Sequence, residues 1–272
     1  MNADVVVDVN AGVAVLTLNR PEHLNAYTAE MGTLLSRVYR ECDEDDDVRA
    51  IVVTGAGGAF CAGADFSGGA SPFDAPADHS TFSASPIDPA AFELRKPVIA
   101  AVNGHAIGIG LTIALQADIR IVADDAKYGV VQVRRGVIPD CMSHWTLPQL
   151  TNLGVAAEIL LTGRTFTGVE AVALGIANRA VPAEQVLDHA LEMARDIAVN
   201  VAPMSAALSK RLLWDSVINN YTPRQVASLE TQLHHRVMGT ADAREGVAAF
   251  FDRRPPQFSA RLSRDWTALP KP

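Results

Sequence analysis

The sequence has little positive charge, no long apolar run and few cysteines. It carries 23 lysines and arginines against 31 aspartates and glutamates, a net charge of −8. This balance argues against nucleic acid or an anionic membrane surface as a partner. No stretch of 18 apolar residues is present, so we expect no membrane-spanning segment. The N-terminus has an early aspartate and no basic region, and we therefore expect no signal peptide.

The three cysteines argue against a fold held together by disulfide bonds. Cys42, Cys61 and Cys141 are odd in number and scattered, which is typical of reduced thiols in a cytoplasm rather than of a disulfide framework. Among seven histidines only His234 and His235 are close in sequence. Because adjacent residues do not share a helix face, we expect no metal site.

What the sequence does have is enough apolar material for a large core, with 49% hydrophobic residues in 272. Apolar runs at 5–9, 13–18, 50–55, 97–102 and 118–123 predict strands, the first two joined as a hairpin. Helical patterns alternate with them, so the sequence predicts an α/β fold with a largely parallel sheet. After about residue 142 the pattern becomes helical, and appended helices of this kind often pack against another subunit. Residues 67–91 are rich in Gly, Ser, Pro and Asp and predict a long, functional loop or cover.

Two glycine-containing turns, GAFCAGADF (58–66) and NGHAIGIG (103–110), each follow a predicted strand. Neither fits the GxxxxGK[ST] loop nor the GxGxxG order, so a phosphate cradle is weakly supported. Single N–H groups from the two turns could instead converge on one carbonyl oxygen that gains negative charge, an oxyanion hole. A helix beginning near Gly110 would add its positive end. Ordinary strand-to-helix turns remain the alternative at this point.

The same turns lie in stretches that resemble the enoyl-CoA hydratase/isomerase family, the crotonase superfamily. The matching stretches run in family order through nearly the whole chain: LTLNRPEHLNA (16–26), IVVTGAGGAFCAGADF (51–66), KPVIAAVNGHAIGIG (96–110), ADIRIVADDAKYG (117–129), LLTGRTFTGVEAVALGIANRAVP (160–182) and REGVAAFFDRRPPQF (244–258). The resemblance implies a superhelical spiral of ββα turns over residues 1–200 and a C-terminal helical trimerisation region over 201–272. It also implies homotrimers or dimers of trimers, an acyl-CoA thioester as substrate, and no permanently bound cofactor.

The resemblance also implies positions for the ligand. The N–H groups of Ala64 and Ile109 would bind the thioester oxygen, although the family often has glycine at the second position. His23, Leu24, Ala62 and Asp65 would line the coenzyme A, with the carbonyl of Ala62 at the adenine. A tail segment that contains Phe250, Arg253 and Arg254 would close over the nucleotide. The segment could come from the same chain or from a neighbouring subunit. A packed phenylalanine and solvated arginines are the alternative.

Two expected acids are missing. Family hydratases carry two catalytic glutamates, and the matching positions here are Thr112 and Gln132. Both can hold a water by hydrogen bonds, but neither accepts a proton near neutral pH.

One carboxylate, Asp140 in VIPDCMSH (137–144), stands where the family usually has glycine. It is a candidate acid/base for hydration or double-bond isomerisation, because dienoyl-CoA isomerases place an aspartate at the matching position. It is alternatively a nucleophile, as in 4-chlorobenzoyl-CoA dehalogenases, or only the N-cap of a helix beginning at Cys141. His144, four residues on, would share its helix face, and an arginine from 134–135 would keep it ionised. A non-catalytic acyl-CoA binder is the remaining hypothesis.

Overall fold

The structure is a computed structural model that describes residues 3–67 and 82–270, so most of the predicted 67–91 cover lies outside the described residues. Over the described ranges the chain forms ten strands and ten α-helices. The strands are Val5–Asn10 (β1), Val13–Leu18 (β2), Ala50–Gly55 (β3), Ala59–Cys61 (β4), Val98–Val102 (β5), His105–Ile107 (β6), Ile119–Ala123 (β7), Tyr128–Gly129 (β8), Thr165–Phe166 (β9) and Arg179–Val181 (β10). The helices are Ala29–Glu44 (α1), Ile109–Ala114 (α2), Ser143–Leu150 (α3), Leu153–Thr162 (α4), Gly168–Ala173 (α5), Val186–Asn200 (α6), Pro203–Ile218 (α7), Pro223–Val237 (α8), Ala241–Asp252 (α9) and Leu262–Asp265 (α10).

A six-stranded sheet in the order β1-β2-β3-β5-β7-β10 forms the centre of the molecule. Strands β1 and β2 pair antiparallel as the predicted hairpin, and the remaining neighbours pair in parallel. Every residue of β3 and β5 is buried, because a parallel sheet is covered on both faces. The α/β class and the mainly parallel sheet are therefore confirmed.

A second, four-stranded sheet in the order β4-β6-β8-β9 lies beside the first. Each of β4, β6 and β8 follows directly on a strand of the large sheet, so successive turns of the chain add one strand to each sheet. This is the predicted spiral of ββα turns. The short strands were not predicted, because two or three residues are too few to show a period. Strands β4 and β6 lie within the segments 58–66 and 103–110 that were predicted as turns, and β8, β9 and β10 had no signal.

The helix signals read from the sequence are mostly confirmed. Thr28 caps α1 by accepting a hydrogen bond from the N–H of Met31, and Gly163 ends α4 in the left-handed conformation. The predicted helix 110–117 is shorter, because the chain tightens into i→i+3 bonds after Ala114.

The C-terminal helices are joined to the core through a buried ion pair. The Nζ of Lys210 on α7 lies 2.7 Å from the carboxylate of Asp118 and also donates to the carbonyls of Ala91 and Lys96. The Nε1 of Trp214 donates to the same carboxylate.

The boundary drawn between 1–200 and 201–272 stays a prediction. Within the described residues, none of the helices is both long enough and apolar enough to cross a bilayer.

Glycines before and after β6 approach the two ends of β4 at backbone contact. A Cβ atom on Gly104 would lie 2.2 Å from the carbonyl oxygen of Gly58, and one on Gly110 would lie 2.2 Å from that of Cys61. No side chain fits at these distances, so these positions require glycine.

We therefore expect Gly110→Ala to lower the free energy of unfolding by about 1–3 kcal/mol, the usual cost of overpacking a rigid site. Urea denaturation followed by circular dichroism measures the change. Gly58→Ala is the matched control, because a Cβ atom there meets nothing within 4 Å and its effect should stay within about 0.5 kcal/mol. Equal effects of the two substitutions would contradict the close approach.

Candidate active site

The first predicted donor turn is held by Tyr27. The N–H of Tyr27 donates to the carbonyl of Gly63 at 2.7 Å, and the N–H of Asp65 donates to the carbonyl of Tyr27 at 3.0 Å. Gly63 has φ +106°, a conformation that glycine adopts at no steric cost. The N–H of Ala64, between these bonds, has no hydrogen-bond partner in the part of the chain that the structure describes.

The second donor turn begins α2. Gly108 has φ +55°, and its N–H donates to the carbonyl of Gly129 at 2.8 Å. Ile109 is the first residue of the helix, where an N–H group has no partner within the helix itself. Its N–H is free among the described residues. The side chain of Ile109 is only 8% exposed and belongs to the hydrophobic core.

The two turns lie side by side. A Cβ atom on Gly63 would come within 3.1 Å of the carbonyl oxygen of Ile107, and one on Gly110 would overlap Cys61. Two unpartnered N–H groups thus lie on adjacent turns, as the oxyanion-hole interpretation requires. Their convergence on one oxygen stays a prediction.

The carboxyl group of Asp140 receives two side-chain hydrogen bonds. The hydroxyl of Thr112 lies 2.6 Å from its Oδ1, and the Nε2 of Gln132 lies 3.1 Å from the same atom. Thr112 is fully buried and Gln132 is 7% exposed. Thr112 and Gln132 therefore both hold the same oxygen of Asp140.

The N-cap interpretation of Asp140 is wrong. Cys141 and Met142 have positive φ angles, so the next helix begins only at Ser143, and its N-cap Met142 makes no side-chain cap. The same delay removes the expected helical relation between Asp140 and His144, which is exposed to solvent.

The electrostatics of Asp140 are governed by burial. Burial raises the pKa of this carboxyl above its ordinary value, and the hydrogen bonds from Thr112 and Gln132 oppose the rise. The expected arginine does not reach it: Arg134 donates to the carbonyl of Thr162, and Arg135 is exposed. The site thus favours a protonated carboxyl more than an exposed aspartate does.

The segment assigned to coenzyme A is attached to the first turn. His23 is exposed and Leu24 is 53% exposed, while the carbonyl of Leu24 accepts a hydrogen bond from the N–H of Ala62 at 3.0 Å. Asn25, which sequence reasoning missed, is fully buried. Its Nδ2 donates at 2.8 Å to the carbonyls of both Ala56 and Ala59, so its amide links the segment to the start of β4.

Asp65 is engaged within the chain. Its carboxylate accepts a bond from the backbone N–H of Ser67 at 2.8 Å and pairs with Arg20 at 2.8 Å. The bonds from Ser67, followed by that from Arg20, lower the pKa of Asp65 to about 2. The observed role of this residue is to order the first turn, and its contact with coenzyme A stays a prediction.

The predicted tail residues are exposed in the single chain. Phe250 is 78% exposed, and Arg253 ends α9 in the left-handed conformation. Arg254 pairs with Glu245 at 2.6 Å, so it is not simply solvated. Closure of this tail over a nucleotide stays a prediction.

Among the described residues, no cluster of three or more His, Cys, Asp or Glu side chains could hold a metal ion.

Residues 8–261 match the family model described as enoyl-CoA hydratase/isomerase. The chain belongs to this family and has its crotonase fold. A crystal structure of a probable enoyl-CoA hydratase/isomerase from Mycobacterium abscessus is 54% identical, with a TM-score of 0.91 over 94% of this chain and 99% of that one.

Two curated relatives cover similar lengths. The probable enoyl-CoA hydratase of Mycobacterium tuberculosis is 35% identical over 259 residues, which are 94% of this chain and 98% of the relative. The 1,2-epoxyphenylacetyl-CoA isomerase of Escherichia coli is 35% identical over 267 residues, with the same coverage of 94% and 98%. This chain is similar to enzymes named for different reactions on CoA thioesters.

The raised pKa of Asp140 predicts how stability changes with pH. The folded state binds the proton more tightly than the unfolded state, so wild type loses stability as pH rises from the ordinary value of about 3.9 through the raised one. The side-chain amide in the Asp140→Asn variant has no such proton to lose. The free energy of unfolding of Asp140→Asn, relative to wild type, should therefore rise with pH in this window and then level off.

Urea denaturation between about pH 4 and pH 8 measures this difference. Asp8→Asn serves as control, because Asp8 is exposed on β1 and its substitution should produce no such trend. A difference for Asp140→Asn that is flat or falls with pH would contradict the burial argument.

Proposed function

We propose that the protein transfers a proton on an acyl-CoA thioester, with Asp140 as its acid/base. The N–H groups of Ala64 and Ile109 bind the thioester oxygen and stabilise the enolate that forms when an α- or γ-proton leaves. The observation that carries the proposal is the pair of hydrogen bonds from Thr112 and Gln132 to Asp140. Both donors stand where family hydratases carry glutamate, so the proton-transfer role passes to the carboxyl that they hold.

Double-bond isomerisation suits a single acid/base. One carboxylate removes a proton from one carbon of the acyl chain, and the resulting carboxylic acid returns it to another. Hydration requires a group that activates water as well as one that supplies the α-proton, and Thr112 and Gln132 supply neither. Isomerisation is therefore the proposed reaction, and hydration by Asp140 alone is the second candidate.

The nucleophilic alternative is less well supported. A carboxylate that attacks carbon must be ionised, whereas burial raises the pKa of Asp140. The same shift brings an acid/base closer to the pH at which it both takes and gives a proton.

The proposed substrate lies along the segments assigned to coenzyme A, with His23, Leu24, Ala62 and Asp65 beside the cofactor portion and Phe250 and Arg253 from the tail. Support comes from the hydrogen bond between Leu24 and Ala62, which fixes the segment against the first turn. No permanently bound cofactor is required, because the thioester itself supplies the acidic proton.

The three cysteines are free and buried, in keeping with a cytoplasmic location.

We also propose that the chain assembles as a homotrimer or a dimer of trimers. Large apolar side chains on α7 and α9 and directly after α8 are exposed in the single chain, and exposed apolar side chains on these terminal helices support an interface between subunits. They are Leu213, Ile218, Met238, Val247, Phe250 and Phe251.

Turnover of three substrates tests the catalytic proposal. Crotonyl-CoA, a 3-enoyl-CoA and a dienoyl-CoA are each incubated with wild type, Asp140→Asn and the control Asp8→Asn. We expect wild type and Asp8→Asn to move the double bond of an enoyl substrate, and Asp140→Asn to be slower by about 10²–10⁴-fold with thioester binding retained.

Other outcomes identify the alternatives. Undiminished turnover by Asp140→Asn contradicts the assignment of the acid/base. A covalent acyl-enzyme in mass spectrometry identifies a nucleophile, and tight binding without turnover of any substrate identifies a binding protein.

Sedimentation velocity tests the assembly. Wild type should sediment as three or six chains, and Leu213→Asp should shift the distribution toward smaller species because a charge is costly in an apolar interface. Val9→Asp is the control, since Val9 is exposed on the edge strand β1. Monomeric wild type at micromolar concentration would contradict the proposal.

A further inference from the structure

The chain reverses its direction immediately after α9. Arg253 has φ +55° at the end of this helix, and its N–H donates to the carbonyls of Ala249 and Phe250. A left-handed residue at a helix end is usually glycine, because a Cβ atom makes this conformation costly. The chain therefore keeps an arginine where glycine would be easier to accommodate, and strain of this kind points to a use for the side chain.

Two carboxylates of α9 hold the segment that follows the reversal. Both terminal nitrogens of the Arg254 guanidinium donate to the carboxylate of Glu245, at 2.6 and 3.0 Å. The N–H of Gln257 donates to the same carboxylate at 2.6 Å. Asp242 lies three residues earlier on the same helix face, and it accepts bonds from the N–H and the hydroxyl of Ser259 at 2.7 and 3.1 Å. The returning segment is thus fixed against α9 at two points.

The two neighbouring arginines at the reversal differ in their partners. Arg254 is paired with Glu245 and also, at 3.3 Å, with Asp252, so its charge is balanced within the chain. The guanidinium of Arg253 is exposed and has no hydrogen-bond partner in the part of the chain that the structure describes. A guanidinium with free N–H groups suits a phosphate. Arg253 is therefore the tail arginine that is available to an anionic ligand.

We infer that Glu245 is a positioning residue for recognition of the coenzyme A nucleotide. By holding Arg254 and Gln257 it fixes the reversal at Arg253, and it thereby presents the free guanidinium to a phosphate of the thioester. The inference rests on the proposed function, which places the tail over that nucleotide. Glu245 itself does not contact the ligand, because both of its carboxylate oxygens are occupied and a carboxylate repels phosphate.

Competition binding of two saturated esters, butyryl-CoA and butyryl-pantetheine, tests the inference without turnover. The pantetheine ester lacks the nucleotide and all of its phosphates. We expect wild type to bind the CoA ester at least about 10-fold more tightly than the pantetheine ester. In Glu245→Ala the CoA ester should bind about 5- to 50-fold more weakly, on the scale of one hydrogen bond to a charged group. The affinity of this variant for the pantetheine ester should stay within about twofold of that of wild type.

A second substitution, Glu245→Gln, separates position from charge. Alanine and glutamine remove the same negative charge, so an effect of charge alone would be equal in both variants and would tighten binding of the anionic ester. Glutamine keeps an oxygen that accepts hydrogen bonds from Gln257 and Arg254. Glu245→Gln should therefore bind the CoA ester at least about threefold more tightly than Glu245→Ala does.

A double-mutant cycle tests whether Glu245 acts through Arg253. Arg253→Ala should weaken binding of the CoA ester at least as much as Glu245→Ala does. Adding Glu245→Ala to Arg253→Ala should then change the affinity less than about twofold, because a positioning residue has no effect once its target is absent. Glu158→Ala is the matched control, since it removes a helix glutamate that is paired with Arg164 at 2.6 Å, and it should keep both wild-type affinities.

Thermal melts and sedimentation velocity verify that the variants fold and assemble as wild type does. The inference fails if Glu245→Ala binds the CoA ester as tightly as wild type or more tightly, if it weakens both esters alike, or if it equals Glu245→Gln. It also fails if the effects of Glu245→Ala and Arg253→Ala add. Failure of the proposed function is a separate result: wild type would then bind neither ester, or would bind the two esters equally.

Discussion

The backbone contact between Gly110 and Cys61 fixes the distances on which the whole site depends. It holds the start of α2 against the end of β4, so the turns that carry Ala64 and Ile109 become neighbours. Because Thr112 lies one turn of helix further on, its hydroxyl reaches Asp140 from a fixed direction. Packed backbone cannot adjust to a misplaced side chain. The direction from which Thr112 meets the carboxyl is therefore set by the main chain of α2, whereas Asp140 itself lies in the loop that precedes α3.

Around Asp140 the chain has two neutral hydrogen-bond donors, Thr112 and Gln132, and no further carboxyl contacts it among the described residues. Three carboxyls in one pocket would repel one another when ionised and would share protons. With Thr112 and Gln132 as donors, the single carboxyl is influenced mainly by burial, which favours its neutral form, and by two hydrogen bonds, which favour its ionised form. Burial is the larger of these opposing effects, so the pKa of Asp140 lies above its ordinary value.

The fold could be predicted from two kinds of sequence signal. One is a pattern of residues close in sequence, and the other is the set of family stretches that extends through the chain. The hairpin of β1 and β2, the Thr28 cap and the glycine turns depend on residues close in sequence, and the family stretches cover almost the whole chain. The arrangement of the site could not be predicted in the same way, because Thr112 and Asp140 are 28 residues apart and meet only in the folded state. Asp140 as an N-cap was a reasonable local prediction, but the left-handed conformations of Cys141 and Met142 delay the helix. The roles of Asn25 and Tyr27 were missed for the same reason, since their partners, or the lack of them, depend on tertiary packing.

The buried polar groups near Asp140 bear on how members of one family can act on different thioesters. The proposed oxyanion donors would contact only the C=O common to all CoA thioesters, so they would not distinguish one acyl group from another. Apolar packing alone distinguishes acyl chains weakly, by about 1–3 kcal/mol for a methylene group. Buried groups that remain unpaired without the right substrate discriminate more strongly, because the wrong substrate gains nothing in return for displacing water from them. Among the described residues, the buried side-chain atoms without a partner are the hydroxyl of Tyr27, the Oε1 atoms of Gln116 and Gln132, and the hydroxyls of Ser143 and Thr146. Of these residues, Gln132 also donates to Asp140 through its Nε2, so whatever pairs with its Oε1 also bears on the position of that carboxyl.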